Sequence, residues 1–373
     1  MPAVAVSPST IMPATKVRFG RESGFHSDLK ARVDAYFEQT GRSERDVPAM
    51  YLKTAMILAW FAGSWALMVF SGPSLGLGLV YAISLGLAVA GIGMSVQHDA
   101  NHGGYSRHAW VNSVMGWTLD AAGASSFVWR TKHNAIHHTF TNVDGQDDDL
   151  DIGLLARWTE EQSHRPWHRF QHLYTWALYG FLLPKWVFLD DFRNIASRRI
   201  GRHKLAQPTR MQWATLLAGK AAFVTWALIV PMFFLPVSWV VLFFFVMCFT
   251  VGVTLSITFQ LAHCVEEADF PSPGADGRLP TDWAEHQLYT TVDFAMGNPL
   301  LTWYMGGLNF QVEHHLFPRV CHLHYPALAR IVEATALAHG LKYRATPTLH
   351  QAVASHYSLL KRLGRTPLVA VPA

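Results

Sequence analysis

Four short stretches of the 373-residue sequence carry histidines at spacings suited to chemistry. "QHDANHGG" sets His98 and His102 four residues apart, so on a helix both rings project from one face. "HNAIHHTF" repeats that step with His133 and His137 and adds His138. "NFQVEHH" supplies His314 and His315, with Gln311 three residues before the first, and "FQLAHCVEE" contributes His263. Imidazole is the commonest metal ligand and loses solvation on burial, so several together need charge, water or metal to balance them. An octahedral ion takes about six ligands, so eight imidazoles point to two ions with positions left open. Ring nitrogens suit iron, zinc, copper and nickel alike, and the lack of a cysteine-rich set argues against structural zinc. The other histidines, His108, His164, His168, His172, His203, His322 and His324 among them, lack such spacing and read as surface or interfacial; His286 is left unassigned.

The elements that must position these rings are apolar. Half of the residues are hydrophobic and only 15% charged, a balance typical of membrane proteins. The net charge of +4 makes no case for nucleic acid. Two pairs of tracts, Ala55 to Phe70 with Leu75 to Val96 and Trp213 to Phe234 with Val237 to Phe259, are near the length that spans a bilayer, although Lys220 interrupts the third. Shorter tracts at Val111 to Trp129, Tyr174 to Leu189 and Phe294 to Phe310 are broken by Gly, Pro, Asn or Asp and read as interfacial or re-entrant. Of the 30 Lys and Arg, 8 precede Ala55, 13 lie from His98 to Arg210 and 8 follow Leu261. By the positive-inside rule these three polar segments, and with them all four histidine groups, face the cytoplasm. The first twenty residues lack the apolar core of a cleaved export signal. Cys248, Cys264 and Cys321 fit no ligand or disulfide spacing and read as reduced thiols. Leu29, Val33 and Phe37 recur at helical spacing behind Ser27, a candidate cap; this helix either lies on the membrane surface or packs on the rest of the cytoplasmic part.

The expected fold is therefore all-α and integral to the membrane: four transmembrane helices as two hairpins, plus a helical cytoplasmic cap carrying a dimetal site. As one domain it divides into an N-terminal segment (1–54), a first hairpin (55–96), a cap portion with the first two histidine groups (97–210), a second hairpin (213–262) and a C-terminal cap (263–373).

"HDANH", "HNAIHH" and "QVEHH" resemble the three histidine boxes of the membrane fatty acid desaturases. Gln in place of His at the start of the third box resembles the front-end, linoleoyl-CoA-desaturase-like branch, and "GGLNFQVEHHLFP" and "DWAEHQLYTTVDF" extend the likeness, which runs from the first span to about Pro326. The resemblance implies a non-haem diiron enzyme that removes two hydrogens from a fatty acyl chain with O2 and two external electrons. The ligands it implies are His98, His102, His133, His137, His138, His314 and His315, with His263 as the additional ligand after the fourth span. Gln311 becomes an outer-sphere group or weak ligand. Some relatives have Asn four residues before the lone histidine; here Phe259 stands there, beside Gln260.

Neighbouring methylenes are chemically alike, so the protein's task is positional. Trp117, Trp129, Trp303, Tyr304 and Phe310 are candidate tunnel walls, with membrane anchoring or core packing as the alternative for each. The acidic run "DGQDDDLD" reads as a solvated loop, a metal site or a source of groups that orient ligand histidines; Asn142 and Asp149 are the candidates for that last role. Arg130, Lys132, Arg193, Arg198 and Arg199 suit a carrier phosphate or a lipid headgroup, or simply the cytoplasmic side. The acyl carrier is left open among CoA, acyl carrier protein and a lipid. Many front-end members carry a fused cytochrome b5 domain with an HPGG motif; none is seen here, so a separate donor such as ferredoxin or cytochrome b5 is expected, in a bacterial inner membrane. A lipid hydroxylase or ketolase is the alternative, followed by a zinc hydrolase or a metal transporter.

Overall fold

The computed structural model describes residues 17–365, so most of the stretch on which the absence of an export signal was read, residues 1–16, lies outside the described residues. The chain is mostly helical, with two minimal two-stranded pairings, antiparallel at Arg199–Ile200 with His203–Lys204 and parallel at Asp293–Phe294 with Ala345–Thr346. Among the described residues, four helices are long and apolar enough to cross a membrane: Pro48–Phe70, Leu75–His102, Arg210–Met232 and Val237–His263. They coincide with the four apolar tracts and fit an integral membrane protein. The second and fourth run on past their apolar stretches to His102 and His263, so histidines ride on the same helices that anchor the chain.

Local chemistry explains where these helices start. Pro48 stands in the first turn of the first, where a missing N–H costs nothing. Ser74 caps the second, and Thr209 and Gln212 form a reciprocal capping box on the third. The second and fourth helices pack closely because small residues line their seam: a Cβ at Gly86 would stand 2.8 Å from the Met247 carbonyl oxygen, and one at Gly78 only 2.2 Å from the Phe243 ring. Leu85, Val89, Met247 and Val251 fill the space around this seam.

The helix Phe25–Thr40 decides between its two readings. Phe25, Leu29, Val33 and Phe37 are all buried, against Leu288, Tyr325, Leu328 and Val332, so the apolar stripe is spent on protein contacts and none of it is left for a lipid surface. Each of those side chains contributes roughly 1.5–3 kcal/mol on burial. Ser27 is not the cap: the helix starts after Gly24 in the left-handed region (φ 87°), and the Ser27 hydroxyl donates to the Gly24 carbonyl. The three shorter apolar tracts break into short helices, such as Ala109–Gly116, Gln171–Tyr179 and Pro299–Tyr304, with Trp110, Phe181, Leu189 and Leu300 exposed. Phe294 and Phe310, at the ends of the third tract, are instead buried. Cys248, Cys264 and Cys321 are free thiols, all buried.

Lys220 does not weaken the third helix but fastens it. Its ammonium donates to the carbonyls of Gly123 (2.6 Å) and Val187 (2.7 Å) and pairs with the fully buried Asp191, which also accepts from the Ser125 N–H. Removing one partner of a buried pair strands the other charge, at a cost of about 3–5 kcal/mol. Lys220→Met is therefore expected to lower the unfolding temperature of the detergent-solubilised protein markedly, and the double substitution Lys220→Met with Asp191→Leu to recover much of the loss. A single substitution as stable as the parent would refute this account.

Candidate metal centre

A π-helical turn, in which the backbone bonds from i to i+5, leads into the first histidine stretch, and another carries most of the second. Ile92–Gln97 is one such turn; it resets the register of the second helix before the short α-helical segment His98–His102, which stops at left-handed Gly103. Arg130–His137 is the other, entered from a turn capped by Ser125, and the His138 N–H closes back on the His133 carbonyl. One turn of this wider helix brings both i+4 and i+5 round to the starting residue. His137 stacks on His133 (5.2 Å, 20°) while His138 meets it edge-on (4.8 Å). The HxxxHH run thus aims three rings from one turn. His263 is the last residue of the fourth helix, and the helix Gln311–Leu316 brings His314 and His315, its N-terminus held by the Val312 N–H donating to Asp293.

All eight rings converge. Centroid separations are 4.5 Å for His98–His314, 4.7 Å for His102–His138, 4.2 Å for His138–His315, 4.7 Å for His137–His263 and 5.0 Å for His263–His315, and every one of the eight is buried. The Nε2 atom of His133 lies 3.3 Å from Nε2 of both His98 and His138. Nε2 of His102, His137, His314 and His315 and Nδ1 of His138 are buried without a hydrogen-bond partner. Ligands at about 2.0–2.1 Å from one ion stand roughly 3 Å apart, so lone pairs aimed inward at this spacing fit metal. The nitrogens fall into overlapping groups, His98, His102, His133 and His314 in one, His137, His263 and His315 in another, with His138 joining His314 and His315 between them.

The electrostatics keep the rings available. Burial, then the neighbouring imidazoles, pull His133, His138, His314 and His315 down from the usual histidine range, so these rings are neutral with lone pairs free to donate. For His137, burial acts downward too, but the Asp147 carboxylate outweighs it and the net direction is up. Asp147 accepts from His137 Nδ1 at 2.9 Å, which leaves Nε2 facing the other rings. His315 Nδ1 donates to the Gln287 side-chain oxygen (2.8 Å), which also accepts from Thr141. His314 Nδ1 lies 3.3 Å from the Tyr325 hydroxyl. Gln311 stands beside the rings, its amide nitrogen 2.9 Å from His263 Nε2 and its oxygen without a partner.

Several expectations for the surroundings are corrected. Asp149 pairs with Lys132 at 3.0 Å and stands 3.7 Å from His137, too far to orient it; Asp147, two residues earlier, has that place because the turn at Asn142–Asp147 folds its carboxylate under the ring. Asn142 touches no ring nitrogen. Held in the left-handed region (φ 58°), it donates from its amide to the carbonyls of His263, Asp269 and Thr290, lashing the end of the fourth helix to the second stretch. Asp147, Gln287, Thr141 and Tyr325 were missed, although Asp147 and Gln287 stand inside stretches already singled out. His168, His172, His322 and His324 are buried rather than superficial; His168 and His324, for example, satisfy loop carbonyls. His286 bonds the Thr141 carbonyl.

A cavity of about 280 Å³ reaches His133, His137 and His263, walled by Trp129, Leu155, Trp158, Leu178, Phe181 and Phe259 among others. Of the five aromatic candidates only Trp129 lines it, stacked on His133 at 4.4 Å. Trp117 is 43% exposed, Trp303 faces Lys53, the Tyr304 hydroxyl donates to the Leu87 carbonyl, and Phe310 packs in the cluster under the helix Phe25–Thr40. For these four the alternative reading, anchoring or core packing, fits the contacts their side chains make. Of the basic candidates only Lys132 reaches the cavity, and it is ion-paired; Arg130, Arg193, Arg198 and Arg199 are not among its walls.

Residues 74–347 match the family model described as fatty acid desaturase. The chain is 40% identical over 355 residues to the sn-1 linoleoyl-lipid 6-desaturase of Arthrospira platensis, covering 95% of this chain and 96% of that protein. It is 36% identical to the protein of the same name from Synechocystis sp., covering 95% and 99% of the two. It is 37% identical to the acyl-lipid (8-3)-desaturase of Physcomitrium patens, covering 92% of this chain and 72% of that protein.

The contrast between neighbouring carboxylates is measurable. Loss of an outer partner of a ligand histidine typically lowers metal affinity about 10–100-fold. Asp147→Ala is expected to fall in that range by metal titration of the purified protein, and Asp149→Ala to change it several-fold less; equal losses would show that Asp147 has no special hold on His137.

Proposed function

This chain belongs to the fatty acid desaturase family and is an oxidoreductase that desaturates fatty acyl lipid, and from that premise we propose how its histidine site does so and on which substrate. The proposal holds that two iron ions lie between His98, His102, His133, His137, His138, His263, His314 and His315. The observation that carries it is the set of buried ring nitrogens without partners, gathered with the other rings into overlapping groups of metal-ligand type. When bound, the iron pair supplies, with O2 and two electrons, the oxidising capacity to take two hydrogens from adjacent carbons, O2 leaving as water. The rest is the work of the protein. Asp147, Gln287 and Tyr325 hold the second ring nitrogens of His137, His315 and His314, so the inward nitrogens keep their aim. Trp129, Phe259 and Leu178 present an apolar wall along which an alkyl chain lies against the histidines while water is kept away.

The substrate we propose is an acyl chain on an intact lipid, desaturated at position 6, between an existing double bond and the carboxyl end. Two observations support this. The cyanobacterial relatives carry the printed name sn-1 linoleoyl-lipid 6-desaturase. In addition, the two cations among the cavity walls are already neutralised, Lys132 by Asp148 and Asp149 and Lys185 by Asp190. A carrier bearing several phosphates would meet a surplus of carboxylates there. The reading also holds that the four apolar helices form two hairpins with both chain ends cytoplasmic in a bacterial inner membrane, which the distribution of Lys and Arg supports. Segment 1–54 is then cytoplasmic, and 97–210 and 263–373 form the cap over the hairpins at 55–96 and 213–262. Electrons come from a separate carrier, ferredoxin or cytochrome b5.

Expression in a bacterium supplied with linoleate, followed by mass spectrometry of lipid classes, tests the reading. A new double bond at carbon 6 in intact lipids, absent with His137→Ala, is the expected result. Oxygen inserted into the chain would turn the reading to a hydroxylase, and product appearing first on CoA would overturn the lipid-linked substrate.

A further inference from the structure

Outside the convergent rings lies a second buried polar cluster that the reaction does not use. Asp99 sits between the two histidines of His98–His102, yet its carboxylate faces away from them. Its Oδ2 accepts from the backbone N–H of His322 (3.2 Å) and from His322 Nδ1 (2.8 Å). A carboxylate is an acceptor only, so the proton between them sits on Nδ1 and leaves His322 Nε2 with a lone pair. That lone pair accepts from Lys53 Nζ at 2.8 Å. Lys53 comes from the first apolar helix and lies 5.2 Å from the Trp303 ring centre. All three side chains are at least 98% buried.

Asp99, Cys321 and His322 also form a compact set of atoms of metal-binding type. The Lys53 ammonium on the His322 nitrogen supplies the cation instead, so this cluster reads as a lysine–imidazole–carboxylate chain. Burying an ammonium and a carboxylate costs several kcal/mol per ion, and such chains are often no more stable than apolar residues of the same size. Something other than stability then accounts for the arrangement, and the position of Asp99 points to it. The His98–His102 segment is the last five residues of the second helix, follows a π-helical turn that shifts its register and ends at Gly103, so the α-helical ladder alone does not set its rotation. Two side-chain anchors hold it as well. One is Asn101, which donates to Gln97 (2.9 Å) and whose carbonyl accepts from Asn134 of the second stretch. The other is Asp99, held from the loop that follows His314 and His315.

We infer that Lys53, His322 and Asp99 act as a clamp that fixes the rotation of the His98–His102 segment, so that these two imidazoles present their nitrogens to the ion they share with His133 and His314. His322 and Asp99 are thus positioning residues, and this rests on the two-iron reading above. One imidazole ties the first histidine stretch to the chain leaving the third and to the first apolar helix.

The test uses the purified full chain in detergent, reconstituted with ferrous iron, with Asp99→Asn, His322→Ala and His322→Gln. Iron per chain, the Mössbauer spectrum and the thermal unfolding of the iron-free protein are read for each. The parent is expected to hold two irons per chain; if it does not, the two-iron reading fails and not the clamp alone. Asp99→Asn and His322→Ala are expected to hold about one, with one of the two spectral components lost and the iron-free protein melting near the parent. His322→Gln, which keeps an amide donor toward Asp99, is expected to restore part of the second component. Two irons with an unchanged spectrum in both Asp99→Asn and His322→Ala would overturn the clamp. So would collapse of both iron-free chains, since the cluster would then serve only the fold.

Discussion

Eight imidazoles buried with ring nitrogens facing one another cannot all satisfy themselves. Five of their nitrogens, on His102, His137, His138, His314 and His315, are buried with no partner, and in a dry interior such groups cost about 1–3 kcal/mol apiece unless something positive lies among them. Much else in the structure follows from that debt to a cation: carboxylate, amide and hydroxyl partners stand behind several of the rings, and the approach to them is walled with aromatic and aliphatic side chains. The site is compact because four sequence-distant segments each deliver one to three rings to the same place.

Delivery depends on where the long helices end. The second and fourth apolar helices pack through small residues, which sets the distance between their polar ends, and those ends are His98–His102 and His263. The other two sources are irregular: a π-helical turn gives His133, His137 and His138, and a six-residue helix anchored on Asp293 gives His314 and His315. Asn142 binds the first kind to the second by holding the final carbonyl of the fourth helix. Lys220 performs a similar service further out, tying the third apolar helix to the backbone at Gly123 and Val187, the latter beside cavity residue Trp186. The apolar wall of the cavity is thus continuous with the elements that hold the rings.

The four apolar helices, the convergence of four histidine groups and the membership of the desaturase family were legible in the residues, because each depends on local pattern. Hydropathy over about 20 residues marks a span. Histidines four apart mark a shared face, and the order of the three boxes marks the family. Even so, the i, i+4 argument was right about His133 and His137 for a reason that spacing does not contain: the turn is π-helical, which is also what brings His138 round beside them.

What only the tertiary structure decided lies in contacts between residues far apart in the chain or a few residues apart around a turn. The partner of His137 is Asp147 rather than Asp149, because backbone geometry between 142 and 147 chooses among the five carboxylates of one short run that composition treats alike. The amide behind His315 comes from Gln287, and His322 is buried against Asp99, 223 residues away. Four of the five aromatic candidates are absent from the cavity wall, since the side a ring leaves from is set by packing against other helices. Local spacing determines which groups are offered to the site; long-range packing determines the angle at which each is held, and metal chemistry depends on that angle.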